Sequence, residues 1–181
     1  MTFSIGYAGV AVSGVLFREK YNFELTQIGL LLGCMALGIA FSELIWGFLT
    51  DFLGDKFVLI IGLLGSGMTF GIIGLTIGFW EFNYIFLCML LIIAGIFGGS
   101  VNSSSGRAVM SWFNDKRRGL AMSIRQTAIP IGASIGAFAF PNLTEIYGFK
   151  VSFLFLSFLC GLATVSVIIW IKKRKTILKK I

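Results

Sequence analysis

The chain has 181 residues, of which 57% are hydrophobic, 15% aromatic and only 13% charged, with no histidine and two prolines. That apolar share exceeds the roughly 45–50% of soluble domains, and the apolar residues come in runs of about 17–25, the length of a helix that crosses a bilayer; a soluble globular fold is excluded in favour of an all-α membrane protein. The formal charge of +7 does not indicate nucleic acid, because the basic residues gather at the ends of the apolar runs rather than among aromatics on a polar face.

Six transmembrane helices follow in chain order. The first runs from about Thr2 to Phe17 and lacks a polar lead-in. The second runs from about Thr26 to Thr50, the third from about Phe57 to Phe79 and the fourth from about Tyr84 to Met110. The fifth follows Arg118 and ends near Pro141, and the sixth runs from about Phe149 to Ile171. Residues 1–171 thus form one six-span unit, and 172–181 form a basic tail or the start of a linker. Helices are required because lipid offers the backbone no hydrogen-bond partners, and the alternating strands of a barrel are absent.

Lysine and arginine set the orientation. Lys56, Arg107, Lys116, Arg117, Arg118 and the run "KKRKTILKK" (172–180) fall on one side. Arg18, Lys20 and Lys150 fall on the other, offset by Glu19, Glu24, Glu81 and Glu145. Both termini are expected in the cytoplasm, and the terminal run is expected to anchor on lipid headgroups. No cleavable leader is expected from Thr2-Phe3-Ser4-Ile5, which has no basic lead-in. Cys34, Cys88 and Cys160 stand alone in separate spans, without metal-ligand spacing, and read as small buried hydrophobes. Glycines recur at small-xxx-small spacing at Gly29/Gly33, Gly67/Gly71, Gly74/Gly78 and Gly132/Gly136, a pattern that lets helix backbones approach closely.

The turn after span two reads Gly47-Phe48-Leu49-Thr50-Asp51-Phe52-Leu53-Gly54-Asp55-Lys56. It resembles the signature loop of the major facilitator superfamily, Gly-x-Leu-(small)-Asp-(basic)-x-Gly-(basic)-(basic), at the same place between spans two and three. Gly47 is expected to permit a close helix contact and Gly54 a tight turn. Asp51 is expected to accept from backbone N–H groups at a helix N-terminus. The resemblance implies that Asp51 and Lys56 belong to a charge latch joining two six-helix halves while the pathway faces outward. The chain departs from the pattern at Phe52 and Asp55, where the family has basic residues, which implies a weaker latch.

The stretch "GRAVMSWFNDKRRGLAMSIRQTAIPIGASIGAF" (106–138) is similar to the same family's passage from span four to span five, and Gly148-Phe149 resembles its Gly-Trp-Arg lead-in to span six. Two family marks are missing. Tyr84 to Ser105 contains no arginine, and the Gly-x-x-x-Gly-Pro of drug/proton antiporters is only half present, with Ala137 after Gly136 and the proline at Pro141. The resemblance implies an N-terminal six-helix bundle in which spans one, two, four and five line a cavity and three and six are peripheral.

Charges inside spans cost roughly 2.5–3.5 kcal/mol on insertion scales and so mark candidate sites. Glu43 in span two either takes a proton or meets a cation, or makes a structural hydrogen bond. Arg125, beside Gln126 in span five, either binds an anionic group of a solute or tethers span four. Asn102 and Ser103, with Ser104 and Ser105, form a polar belt in span four. Arg107, Arg117 and Arg118 read as orientation signals and contacts between halves.

The function implied is transport of a small solute by alternating access, as one half of a secondary transporter whose solute binds between two halves. The chain lacks Gly-x-x-x-x-Gly-Lys-[Ser/Thr], so the energy source expected is a proton or ion gradient, with no other cofactor and no metal. Without histidine or paired in-span carboxylates, an intramembrane enzyme is set aside. The partners expected are a small solute, membrane lipid and a second six-helix half or a second copy of this chain, in the cell (plasma or inner) membrane. A fragment ranks first among the accounts of a single half; the alternative function is a truncated or degenerate half that inserts without transporting alone.

Overall fold

The computed structural model describes residues 1–79 and 83–171. Glu81 and the basic run 172–180 lie outside the described residues. Within them every regular element is a helix: α1 (Thr2–Val12), α2 (Gly14–Tyr21), α3 (Leu25–Leu53), α4 (Asp55–Phe79), α5 (Tyr84–Trp112) and α6 (Asp115–Trp170).

α1 and α2 act as one rod. The helical hydrogen-bond ladder runs through the junction, with Ser13 N–H donating to the Gly9 carbonyl at 3.1 Å and Phe17 N–H to the Ser13 carbonyl at 3.0 Å. The first span expected to end at Phe17 continues to Tyr21, and Asn22 closes it in the left-handed conformation (φ 54°), which asparagine tolerates better than most residues. α3 begins with a reciprocal cap in which Glu24 N–H donates to Gln27 Oε1 at 2.9 Å. It ends at Gly54, whose φ of 84° lies in the left-handed region that favours glycine. α5 opens on Asn83, whose Oδ1 accepts from Ile85 N–H at 3.0 Å.

α6 is assigned as one 56-residue helix, but Gly148 (φ 82°, ψ 166°) breaks it. In a straight helix, residues 144 and 152 would stand about 12 Å apart; instead the Thr144 and Ser152 hydroxyls are hydrogen-bonded at 2.8 Å. Phe140 and Phe153 meet edge to face with centroids 5.3 Å apart. The chain therefore folds back into a hairpin of a first arm (115–147) and a second arm (149–170). The fifth helix was expected to end near Pro141, yet it runs through that residue to Gly148. Around the proline, Asn142 Nδ2 donates to the Phe138 carbonyl at 2.6 Å and Thr144 Oγ1 to the Phe140 carbonyl at 2.8 Å. Four described stretches, Leu25–Leu53, Asp55–Ile77, Tyr84–Trp112 and Lys116–Trp170, are long and apolar enough to cross a bilayer, and Thr2–Val12 is a shorter apolar helix.

α3 packs on α5, α1 on the first arm, and α4 on both α5 and the second arm. The α3/α5 seam is closest where Gly38 faces Gly95; a methyl group on either would run into a carbonyl oxygen, of Ile92 or of Met35. Trp46 Nε1 donates across this seam to the Ile96 carbonyl at 2.6 Å, and the Tyr84 hydroxyl to the Gln27 carbonyl at 2.9 Å. Gly132 and Gly136 admit the α1 backbone at Met1 and Ile5, and Gly67, Gly71 and Gly74 lie against Cys160, Ser157 and Leu154. Gly29 and Gly33 differ from expectation: a Cβ on either meets nothing. The surroundings of Gly78 lie outside the described residues.

The core is aromatic, with Phe17, Phe70, Phe140, Phe149 and Phe153 fully buried. Phe17 stacks on Phe149 at 4.0 Å, which ties the end of the first rod to the Gly148 turn. Cys34, Cys88 and Cys160 are free and buried, as small apolar residues would be.

Candidate functional site

Two polar clusters interrupt this apolar bundle. The first lies at the α3–α4 corner. Asp51 sits in the last turn of α3, the negative end of the helix dipole. It therefore depends on a cation, and Arg107 of α5 supplies one: Arg107 NH1 donates to Asp51 Oδ1. Arg107 Nε lies 3.6 Å from Asp55 Oδ1, in the first turn of α4. One guanidinium thus stands between two carboxylates, and the Asp51 side chain is 63% exposed while that of Asp55 is 17% exposed.

The expectation that Asp51 accepts from backbone N–H groups at a helix N-terminus is corrected, because Asp51 belongs to the end of α3 and its hydrogen bond is to Arg107. Lys56 does not reach Asp51; its Nζ donates to the Ile168 carbonyl at 2.7 Å and so caps the end of the second arm. Gly47 has open space where a close helix contact was expected. Arg117 and Arg118 are exposed, with Arg118 Nε donating to the Phe113 carbonyl at 2.9 Å. Asp55 was read from sequence only as a departure from the family pattern, and its service to Arg107 was missed. The available signal was its charge, an acid one helix turn beyond Asp51 across a glycine.

The second cluster lies deeper. Glu43 precedes Asp51 by eight residues, about 12 Å along the helix. Its Oε1 accepts from Asn102 Nδ2 on α5. Asn102 Oδ1 in turn accepts from Arg125 NH2 at 2.7 Å, and the Asn102 carbonyl accepts from the same nitrogen at 2.7 Å. Arg125 Nε donates to Ser105 Oγ at 3.0 Å, and NH1 has Gln126 Oε1 at 3.4 Å. Glu43, Asn102 and Arg125 form one network across α3, α5 and the first arm, so the span-four tether weighed for Arg125 and the hydrogen bond weighed for Glu43 are both present. Ser103 is not in it: its hydroxyl donates to the Ser100 carbonyl at 3.2 Å. Helical spacing explains this, since residues 102 and 105 share a face and 103 does not.

Asn102 holds the carboxylate with its amide nitrogen and the guanidinium with its amide oxygen, so opposite charges are joined without touching. Three of the Arg125 contacts are short and fixed, and its NH1 edge, beside exposed Gln126, is the least committed. A guanidinium presented this way fits a carboxylate or phosphate oxygen.

The described residues thus form an all-helical apolar bundle with a polar network within it and a glycine–aspartate corner at one end. The chain belongs to the Major Facilitator Superfamily, whose family model matches residues 1–180. It is 33% identical over 175 residues to an uncharacterised MFS-type transporter of Mycobacterium tuberculosis (strain H37Rv), covering 90% of this chain and 38% of that protein. It is 21% identical to the hexuronate transporter of Bacillus subtilis, over 91% of this chain and 37% of that one. It is 27% identical to the glycerol-3-phosphate transporter of the same organism, over 72% and 31%. The chain thus spans less than half the length of these relatives.

Proposed function

We propose that this bundle forms one wall of an alternating-access transporter for small organic anions. Six crossings make the wall: the α1–α2 rod, α3, α4, α5 and the two arms of α6. The Thr144–Ser152 contact supports counting the arms separately. With basic residues at one end, both chain ends lie in the cytoplasm of a cell membrane, and a second six-helix half, or a second copy of this chain, closes the pathway. Asp51 and Arg107 stand at the cytoplasmic corner, where they meet the opposite half.

The observation that carries the proposal is Arg125, a half-buried charge within an apolar span, where charge is costly, with its NH1 edge turned to the exposed Gln126. Hexuronate and glycerol-3-phosphate, which name two of the relatives, are both anions. Binding of glucuronate and glycerol-3-phosphate to the chain in lipid nanodiscs tests it. Arg125→Gln is expected to weaken binding at least about tenfold, because a charge-assisted contact is lost. Equal binding by the wild type and the variant would overturn the anion site. A bundle that inserts but neither binds nor takes up a solute would favour an assembly role without transport.

A further inference from the structure

The α3–α5 seam carries two thiols that the polar network does not use. The helices run side by side in a constant register: the Tyr84 hydroxyl reaches the carbonyl of Gln27, 57 residues earlier, Gly38 faces Gly95 and Ser42 faces Gly99. In that register Cys34 stands level with Leu91, and Cys88 with Leu31. The two cysteines are therefore three residues apart along the axes, about 4.5 Å. Both are buried and belong to one core cluster. Their side chains meet across the seam, and the Tyr84 side chain meets Cys88. The Gly38–Gly95 approach draws the two backbones close enough for such short side chains to touch.

The third cysteine does not share this place. Cys160 of the second arm lies against Gly67 of α4, at a different seam. Cys34 and Cys88 both fall in the first half of their helices, toward the end remote from Lys56 and Arg107. With the orientation proposed above, that end faces away from the cytoplasm, on the side where disulfides persist.

We infer that Cys34 and Cys88 are a redox-sensitive staple, which a hydroperoxide converts to a disulfide that ties α3 to α5. One thiol gives up its proton and attacks a peroxide oxygen; the O–O bond breaks, and a sulfenic acid and one water form. The second thiol attacks that sulfur; the S–S bond forms, the S–O bond breaks and a second water leaves. The cysteine pair loses two electrons and two protons, and the peroxide is reduced to two waters. The link closes α4 into a covalent loop and so restrains the unfolded chain. It also fixes the register of α3 on α5 that brings Glu43 to Asn102.

The test uses the full chain in lipid nanodiscs, treated with hydrogen peroxide, which is small and uncharged enough to enter an apolar seam. Free thiols are then blocked with a maleimide in denaturant, and the peptides are mapped by mass. The wild type is expected to yield a Cys34–Cys88 peptide pair, lighter by two hydrogen atoms and separated by dithiothreitol, with Cys160 blocked. Cys160→Ser is expected to yield the same pair. Oxidation is expected to raise the denaturation midpoint of the wild type, and dithiothreitol to return it. Cys88→Ser, with helicity checked by circular dichroism, is expected to show no such shift; the peptide map of the wild type decides the linkage whether or not that variant folds. Cys34 and Cys88 both blocked after peroxide, sulfinic or sulfonic acid in place of the link, or a link to Cys160 or between two copies, overturns the inference. A Cys34–Cys88 link that leaves the midpoint unmoved overturns the staple.

Discussion

At the scale of residues, the proposed role of the Asp51–Arg107 corner is in movement rather than in folding. Asp51 is mostly exposed and its pair with Arg107 is screened by water, so it adds about 1 kcal/mol or less to stability. Asp51→Asn is expected to leave the denaturation midpoint in micelles nearly unchanged while lowering solute uptake severalfold. A large loss of stability with normal uptake would assign Asp51 to the fold instead. Asp51, Gly54, Glu43, Asn102 and Arg125 were each legible in the sequence, because in-span charge and glycine stand out against an apolar background. The tether of Arg125 to span four was legible too, but the partners of Asp51 and Glu43 were not. Arg107 lies 56 residues from Asp51 and Asn102 lies 59 from Glu43, and which side chains meet depends on the axial offset of α3 and α5, fixed by the Gly38–Gly95 approach. Ser103 stands off the network for a related reason, since a run of polar residues does not say which of them share a face with the partner helix.

At the scale of elements, two glycines decide the architecture and one pair does not. Gly148 holds a backbone conformation nearly reserved for glycine, and it lets one long helical stretch fold back on itself. Gly148→Ala is expected to cost about 1–3 kcal/mol, read as a lower denaturant midpoint, whereas Gly119→Ala, in open space, is expected to be neutral. Gly136→Leu would force the Ile5 backbone away and destabilise by about 1–3 kcal/mol or more, while Gly33→Leu should not. Equal effects of the last two would mean the α1 contact is not close-packed. The sequence marked both glycine pairs alike, because spacing reveals that a backbone may be approached but not whether a neighbour does so. It likewise put the end of the fifth helix at Pro141, since a proline removes one backbone hydrogen bond but does not say whether packing carries the helix on.

At the scale of the molecule, Lys56, Arg107, Arg117 and Arg118 mark one end of the bundle and Arg125 a half-buried position within a span. The native cysteines are buried, so introduced ones report cleanly. Lys56→Cys and Lys116→Cys are expected to react with a membrane-impermeant thiol reagent from the same side; labelling from opposite sides would break the six-crossing account. The central claim, that the Arg125 face lines a water-filled path rather than meeting lipid, is tested most directly by comparing Gln126→Cys with Phe158→Cys. Both positions are exposed on the bundle, but Gln126 adjoins Arg125 on the first arm and Phe158 lies on the second. In intact cells and inside-out vesicles, Gln126→Cys is expected to react with the water-soluble reagent and to be protected by glucuronate, while Phe158→Cys stays unreactive. Equal silence at both positions, or labelling of Gln126→Cys that glucuronate does not slow, would contradict it.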